Sequence, residues 1–599
     1  LIKALYEIGK IHEKNYDETQ QLTEDLGTKY TATITINVET KNGSLIYTGC
    51  SMEKKKDVNY LYRKTPSARF DPYSLTLKPA KHGPERIIDR FIKYCEVHKG
   101  KLISDIEKVL KENREVIIRD IEVAAKNCDK NERYFVTVVI SGRYVGEIEE
   151  FRKIFLGEVQ KLPKSRAGTC FICGKETEVG AKVSDILKFA TIDQPGFAYR
   201  MNKKSHDITM PLCSECFAKL ALGKKIADEK LTLNFYGSCD SYDSRVYVLP
   251  RFFGERIEKH HRFAQNTLAA FDSLTNTFKG ENGRYEKFER KIVAKLGKEE
   301  TYSTLNFVFF MKARKKDEVK LYLNIQDVPP SRLKMINFAA TSIENELKSL
   351  GSPYIKFETL WKVFKGYSQL QKKATDKNPV PPSDFLKCMQ AMFKGFRINL
   401  DPYKKAALRY IHSFKMNADE KERKNLFFER GNIVAMGYFL NRLNNLHEGG
   451  RLDLSKSKSE ILKDFFELYP DFFKNDELKL TFIIGMIHSI FVDIQESQGY
   501  TGTADQRIKG YRMKPDDFKE HLSYMKSKFK YYLTKIKDAS HVEFMKRLFE
   551  IAGEYQLKAG MKWKSSITDL NYAFLCGEAS KRLLMSSNEN KKEIEDREV

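Results

Sequence analysis

Two Cys-x-x-Cys pairs, Cys170-Phe171-Ile172-Cys173 and Cys213-Ser214-Glu215-Cys216, constrain this chain more than any other stretch of it. A two-residue gap lets both thiolates of a pair turn toward one ion, and two pairs supply the four sulfurs that satisfy tetrahedral Zn²⁺. Gly174, directly after the first pair, suits the tight turn that aims backbone N–H groups at sulfur. Four cysteines are also compatible with small buried apolar residues, or with a redox pair plus strays. The doubled spacing with its glycine favours the metal. The intervening residues 174–212 are longer than the commonest spacing, so the expectation is an elaborated zinc ribbon carrying an insertion. Four thiolates leave no open position for water, which makes such a centre structural and not catalytic.

The chain around this centre is basic: 105 Lys and Arg against 81 Asp and Glu over 599 residues, a formal net charge of +24. Such a surplus speaks about partners and not about fold, and nucleic acid is the first polyanion to consider. A merely soluble basic surface is the plainer alternative. The six other cysteines (Cys50, Cys95, Cys128, Cys239, Cys388 and Cys576) show no pairing pattern, which suits a reducing cytosol. No secretory signal is read at the start, and the most apolar run, Phe482 to Ile494, is too short for a bilayer and contains His488 and Asp493. The expectation is a soluble, cytoplasmic protein with no membrane partner.

The fold class expected is α+β, an N-terminal mixed domain with an inserted four-cysteine zinc ribbon, followed by a C-terminal α-helical bundle. Residues 30–38 alternate apolar and Thr/Asn as a strand, Asn42-Gly43 supplies a hairpin turn, and Leu45-Ile46-Tyr47 begins the return. Residues 85–127 read as two or three helices broken near Gly100. Phe135–Ile140 is a buried strand, and a helix follows from about Glu147 to Lys161. The domains expected are 1–165, an α+β region; 166–222, the zinc insertion; and 223–377, a continuation with strands, a hairpin over 305–325 and helices. A helical connection over 378–458 and a helical bundle over 459–599 complete the chain.

Three basic stretches are candidate nucleic-acid contacts. Lys54, Lys55, Lys56 and Arg63 are interleaved with tyrosines, a mixture that grips phosphates while rings stack on bases, although a solvated loop reads equally simply. Lys312, Arg314, Lys315 and Lys316 form a hairpin tip that either enters a groove or keeps a sheet edge soluble. In the helix expected over Asp517–Ile536, the stripe Phe518, Leu522, Met525, Phe529, Tyr532 and Ile536 is apolar, and Lys519, Lys526, Lys530 and Lys537 fall on another face. Between Arg507 and Lys564, 15 Lys/Arg stand against 7 Asp/Glu, so a nucleic-acid track competes with an ordinary solvated face.

No catalytic constellation persuades. Gly223-Lys224-Lys225 lacks the upstream glycine and the Ser/Thr of a phosphate-binding loop. His206-Asp207 is a dipeptide of metal-dependent phosphohydrolases but has no companion histidines nearby. His260-His261 lacks a carboxylate at ligand spacing, and no Gly-x-Ser-x-Gly elbow is present. A binding and scaffolding protein is expected rather than an enzyme.

An ordered set of blocks carries a family resemblance: Cys170-Phe-Ile-Cys-Gly174, then Phe189-Ala-Thr-Ile-Asp-Gln-Pro-Gly-Phe197, Cys213-x-x-Cys216, and Tyr247-Val-Leu-Pro-Arg-Phe252. With the opening Leu1–Lys10, Asp327–Leu333 and Phe482-Ile-Ile-Gly485, the chain resembles the large subunit of the type I-B CRISPR Cascade complex, the Csh-type family. The resemblance implies a non-catalytic subunit at the 5′ end of a guide RNA (crRNA), beside the Cascade backbone and 5′-end subunits. It implies reading of a protospacer-adjacent motif in target double-stranded DNA, support of the R-loop, and recruitment of a separate helicase–nuclease. It also implies a C-terminal bundle resembling the small subunit, which in such systems can arise from an internal start; Met436, Met486 and Met513 are candidates. The rival readings are a stand-alone zinc-ribbon nuclease using His206-Asp207, and a general RNA-binding scaffold.

Overall fold

A computed structural model describes residues 1–13, 30–63, 72–79, 83–126, 133–160, 166–180, 186–187, 211–235, 242–252, 303–314, 319–347, 354–367, 381–419, 425–445, 456–497, 504–532 and 539–581, with isolated positions at 17, 19, 22–24, 26, 370 and 422. The chain divides into two units: Leu1–Thr232 with Tyr247–Gln265 and Asp317–Lys320, and the remainder through Val599.

The first unit opens with helix α1 (Ile2–His12), then strands β1 (Tyr30–Lys41), β2 (Ser44–Lys54) and β3 (Thr76–Leu77). Helices α2 (Gly83–Val97), α3 (Lys101–Glu112) and α4 (Arg114–Lys126) lead to β4 (Arg133–Ile140) and β5 (Arg143–Tyr144), and α5 (Glu149–Gln160) closes the segment. Asn42 (φ 51°) and Gly43 (φ 76°) make the hairpin turn that joins β1 to β2 with Lys41 opposite Ser44, as the Asn-Gly pair predicts. The helical crossover returns β4 parallel to β1, giving a mixed sheet ordered β2-β1-β4-β3 with β5 beyond β4.

Strand β1 forms over the residues that alternate, and Ala32 to Ile36 are buried on both faces. Ile34 and Ile36 pair with Val136 and Val138 on one side. On the other, Thr33 and Thr35 align with Phe135 and Thr137, and this face is covered by the chain after β2, where Tyr60 lies edge-on to Phe135 at 4.8 Å and to Tyr144 at 5.4 Å. Two pairs of polar side chains there bond to each other, Thr35 Oγ1 with Ser51 Oγ at 2.7 Å and Thr76 Oγ1 with Thr137 Oγ1 at 2.8 Å.

The unit then carries a small hairpin, β6 (Arg166–Thr169) and β7 (Glu176–Val179), and helix α6 (Ser214–Lys230). Helix α6 is continuous through residue 222, where the sequence suggests a domain edge. It packs on α1 at a crossing made by two glycines: a Cβ on Gly9 would lie 1.8 Å from the Lys219 carbonyl oxygen, and one on Gly223 1.7 Å from that of Leu5. Gly223 is thus a packing glycine, not part of a phosphate loop.

Strands β8 (Thr232–Asn234), β9 (Tyr242–Phe252), β10 (Ser303–Ala313) and β11 (Val319–Val328) form a sheet ordered β11-β10-β9-β8. The expected hairpin over 305–325 is therefore present. From Pro330 the described chain of the second unit is helical: α7 (Pro330–Glu346), α8 (Phe357–Lys365), α9 (Ser383–Lys394), α10 (Asp401–Asn417), α11 (Leu426–Asn444), α12 (Lys458–Leu468), α13 (Asp476–Ser497), α14 (Pro515–Tyr532), α15 (Ala539–Ala559) and α16 (Ile567–Ala579).

Helices α13 and α16 are the centre of the bundle. Both are buried on almost every side, from Leu478 to Phe491 and from Leu570 to Ala579, as befits helices that are apolar all round. They too approach through paired glycines: a Cβ on Gly485 would meet the Phe574 carbonyl oxygen at 2.1 Å, and one on Gly577 that of Phe482 at 1.9 Å. Helices α10 and α11 join the same bundle, because Lys404 bonds Asp569 at 2.6 Å and Arg430 bonds Glu578 at 3.1 Å. The bundle therefore reaches back well before residue 459. Among the described residues no helix is long and apolar enough to cross a membrane.

Candidate metal centre and nucleic-acid interface

The four cysteines come together. Their sulfurs all lie within 4.8 Å of one another. Sulfurs held at about 2.3 Å from one tetrahedral ion sit roughly 3.8 Å apart, so the cluster has the right scale. The β6–β7 hairpin presents Cys170 and Cys173 on its turn. Gly174 sits at φ 70°, where a Cβ would be strained, and its N–H donates to the Cys170 carbonyl at 2.9 Å. Cys213 caps the N-terminus of α6, its sulfur accepting from the Cys216 N–H at 3.5 Å, while the Cys213 N–H points to the Cys170 sulfur at 3.5 Å.

The two halves are laced by backbone bonds, Phe171 N–H to the Pro211 carbonyl at 2.8 Å and a reciprocal Gly180–Leu212 bridge. Burial raises the Cys213 and Cys216 thiols. At Cys170 burial pushes the same way, but N–H donors from Cys173, Cys213 and Ile172 overcome it and bring the thiol down to about 7. A divalent cation binds the thiolate form and offsets the cost of burying it. The donor set fits a metal ion, and the helix N-terminus and N–H groups aimed at sulfur complete the cradle.

The expected basic contacts are placed differently from one another. Lys54 and Lys55 are exposed, and Lys56 is exposed but paired with Glu53 at 2.5 Å. Arg63 is corrected: it is only 8% exposed, donates to the Leu22 carbonyl at 2.8 Å and lies over the Phe217 ring. Its neighbours Tyr60 and Tyr62 are core residues, so this segment offers no rings for stacking on bases. The mixture of rings and cations belongs to a strip folded under the sheet.

In the β10–β11 hairpin, Lys312 is half-buried and the Arg314 Nε donates to Asp243 at 2.8 Å; Lys315 and Lys316 lie outside the described residues. On α14, Phe518, Leu522, Met525, Phe529 and Tyr532 are buried as the stripe predicts. Lys526 and Lys530 are exposed, as is Lys528, which heptad-like spacing passes over. Lys519 is instead held to the Met561 carbonyl at 2.7 Å and Asp516 at 3.3 Å. Lys537 and the His206-Asp207 pair lie outside the described residues.

A second polar cluster escaped the sequence reading, because its members are scattered singly over apolar helices. In the bundle core His488 Nε2 lies 3.1 Å from Asp505 and 3.5 Å from Glu578, and its Nδ1 lies 3.0 Å from His521 Nε2. Lys415 bonds Asp505 at 2.7 Å, Arg430 bonds Glu578 at 3.1 Å, and the Tyr511 hydroxyl donates to Glu578 at 2.6 Å. His488, Asp505 and Glu578 lie close enough together to share an ion, but Lys415 and Arg430 already occupy the two carboxylates, and the cluster forms a buried ion network.

Burial, with the His488 and Arg507 charges, pushes His521 down to about 3, although Asp505 pulls the other way. Asp505 is itself held well below the usual carboxylate range; burial opposes this, but His488, Lys415 and Arg430 outweigh it. Between about pH 6.5 and 3 the unfolded chain binds a proton at His521 that the fold refuses. Stability of the bundle is expected to fall by on the order of 1 kcal/mol per pH unit across that window, with Asp505 adding to the loss below about pH 4. Denaturant titrations at stepped pH measure the slope; a His521→Gln chain should show a shallower one above about pH 4.

Three domain families match the chain in order: the N-terminal domain of CRISPR-associated protein TM1802 at residues 1–157, its central domain at 167–328 and its C-terminal domain at 355–592. No curated protein matches. The central match begins at the cysteine hairpin and takes in the four-sulfur cluster, and the C-terminal match spans the bundle with its glycine crossing and buried ion network. With its three domains present in sequence and covering nearly its whole length, the chain belongs to the CRISPR-associated TM1802 family.

Proposed function

We propose that the protein is the non-catalytic large subunit of a type I-B RNA-guided surveillance complex. In this reading it binds target DNA beside the guide RNA, recognises the protospacer-adjacent motif, supports the R-loop and recruits a separate helicase–nuclease in antiviral defence. Zn²⁺ at Cys170, Cys173, Cys213 and Cys216 holds the central domain together and takes no part in chemistry. Base pairing carries sequence specificity in such complexes, so the protein needs chiefly charge and shape along the nucleic-acid path.

The observation that carries the reading is the exposed side of α14. Lys526 and Lys530 stand one turn apart outside its buried stripe, Lys528 flanks them, and none is paired with a carboxylate among the described residues. Phosphates neutralised by such a group release counterions, so affinity falls steeply with salt. Reversal of Lys526, Lys528 and Lys530 to Glu is expected to weaken DNA capture by roughly tenfold or more and to flatten the dependence of log K on log salt. Filter binding across a salt series measures both, and unchanged binding would remove the face from the path. The purified chain should also leave DNA intact in Mg²⁺; cleavage abolished by His206→Ala would replace this reading with a nuclease.

A further inference from the structure

Beyond the lysine face, the last turn of α15 and the connection that follows it each display one large apolar side chain to solvent. Leu557 is 86% exposed and Met561 84%, and they bracket the helix end at Gly560. Isolated exposed apolar residues are ordinary, but this pair stands at a helix end whose following connection the fold holds firmly. The Lys519 ammonium donates to the Met561 carbonyl at 2.7 Å. Trp563 stacks on Phe518 and donates to the Gly560 carbonyl at 3.2 Å. The Glu477 carboxylate accepts from the N–H groups of Lys564 and Ser565 at 2.8 and 2.7 Å, and Asn475 bonds the Ser565 hydroxyl at 2.9 Å. The backbone is fixed by neighbouring elements, while Leu557 and Met561 are left in water.

The charges nearby define the occupant. Lys558 and Lys562 are exposed, and neither is paired with a carboxylate among the described residues. Interface cores between proteins are depleted in lysine, and two side chains bury far less than the roughly 1,000 Å² a stable protein contact needs. Leu and Met are, in contrast, among the side chains that wedge between base steps while flanking cations hold the phosphates. Phe529 packs on Phe549 and Phe518 on Trp563, so α14 and α15 run antiparallel and the tip stands at the N-terminal end of the helix that carries the lysines.

We infer that Leu557 and Met561 form an apolar wedge against unpaired bases, with Lys558 and Lys562 holding the adjoining phosphates. This rests on the nucleic-acid reading above and adds the part of the DNA that is touched: unstacked bases and not paired duplex alone.

The test uses the full chain and two probes, a fully paired duplex and the same duplex with a central bubble. The bubble carries a fluorescent adenine analogue that brightens when it unstacks. The unaltered chain is expected to bind the bubble more tightly and to raise its emission. Leu557→Ala/Met561→Ala, with thermal unfolding checked to be unchanged, should lose the emission rise and roughly tenfold of the preference for the bubble, while keeping duplex affinity and its salt slope. Lys558→Glu/Lys562→Glu should weaken both probes. Equal emission and equal preference in the apolar variant would overturn the wedge and leave the lysine-face reading standing, as would loss of a protein partner's footprint at the tip without any change on DNA. Failure of the unaltered chain to bind either probe would overturn both.

Discussion

A single methyl group at Gly577 is expected to unfold the C-terminal bundle. The Cβ of Gly577→Ala would stand 1.9 Å from the Phe482 carbonyl oxygen, 2.8 Å from its carbon and 3.0 Å from the Met486 nitrogen, all backbone atoms of α13. No rotamer change relieves such a clash; the two central helices have to move apart, and every side chain between them loses contact. Overpacking of a core ordinarily costs about 1–3 kcal/mol, and a backbone-to-backbone obstruction lies above that range. The whole stability of a domain is only about 5–15 kcal/mol. Gly485→Ala meets the same crossing from the other side, 2.1 Å from the Phe574 carbonyl oxygen, and should fail likewise. The control is Gly553→Ala in α15, where no atom lies within 4 Å of the added Cβ; it is expected to be neutral, or stabilising by up to about 1 kcal/mol through helix propensity. Circular dichroism during thermal unfolding separates the three, and a Gly577→Ala chain that melts like the unaltered protein would show that the crossing is looser than its geometry.

Removal of one sulfur should be the second severe change. Cys213→Ser takes away the sulfur ligand while leaving a hydroxyl that can still accept the Cys216 N–H at the N-cap, so the effect reports on the sulfur. Structural zinc contributes on the order of 10–16 kcal/mol in small zinc-binding peptides, so a three-sulfur site should retain little of the metal. Elemental analysis of the unaltered chain is expected to return one equivalent of zinc, and the variant should return a small fraction of that. The loss should spread along a definite path. The hairpin carrying Cys170 and Cys173 is short, and the described residues show it joined to α6 through the sulfur cluster and the Phe171–Pro211 and Gly180–Leu212 bonds. Hydrogen exchange should rise first in residues 166–180 and at the start of α6, while the central strands β1 and β4 stay protected. A chelator acting on the unaltered chain should reproduce that pattern. Folded, metal-free protein with normal protection at the hairpin would contradict the structural role.

The same glycines show where sequence reading reached its limit. Gly223 stands before two lysines and invites comparison with phosphate loops; only the crossing with α1, where Gly9 answers it, explains why no side chain is tolerated. Gly485 was legible as a landmark and not as a contact. Arg63 read as a surface cation because local composition cannot report that the chain after β2 turns beneath the sheet. The His488, Asp505 and Glu578 network was invisible because its parts come from α13, a turn and α16, with Lys415 and Arg430 supplied by two further helices. Lys519 lay at the right spacing for a cationic row, yet its ammonium is occupied in fixing the Met561 carbonyl.

What the sequence determined by itself is what depends on spacing over a few residues. The doubled Cys-x-x-Cys with its glycine marked the four sulfurs that come together, Asn42-Gly43 the first hairpin, and the apolar stripe of α14 its buried face, because each follows from local backbone geometry or from one helical period. Tertiary structure alone decided which helices meet at a glycine, which charges end up inside, and which apolar side chains remain outside at Leu557 and Met561. Those outcomes depend on the approach of segments far apart in the chain, and the energy of such an approach is carried by atoms that no short stretch of sequence contains.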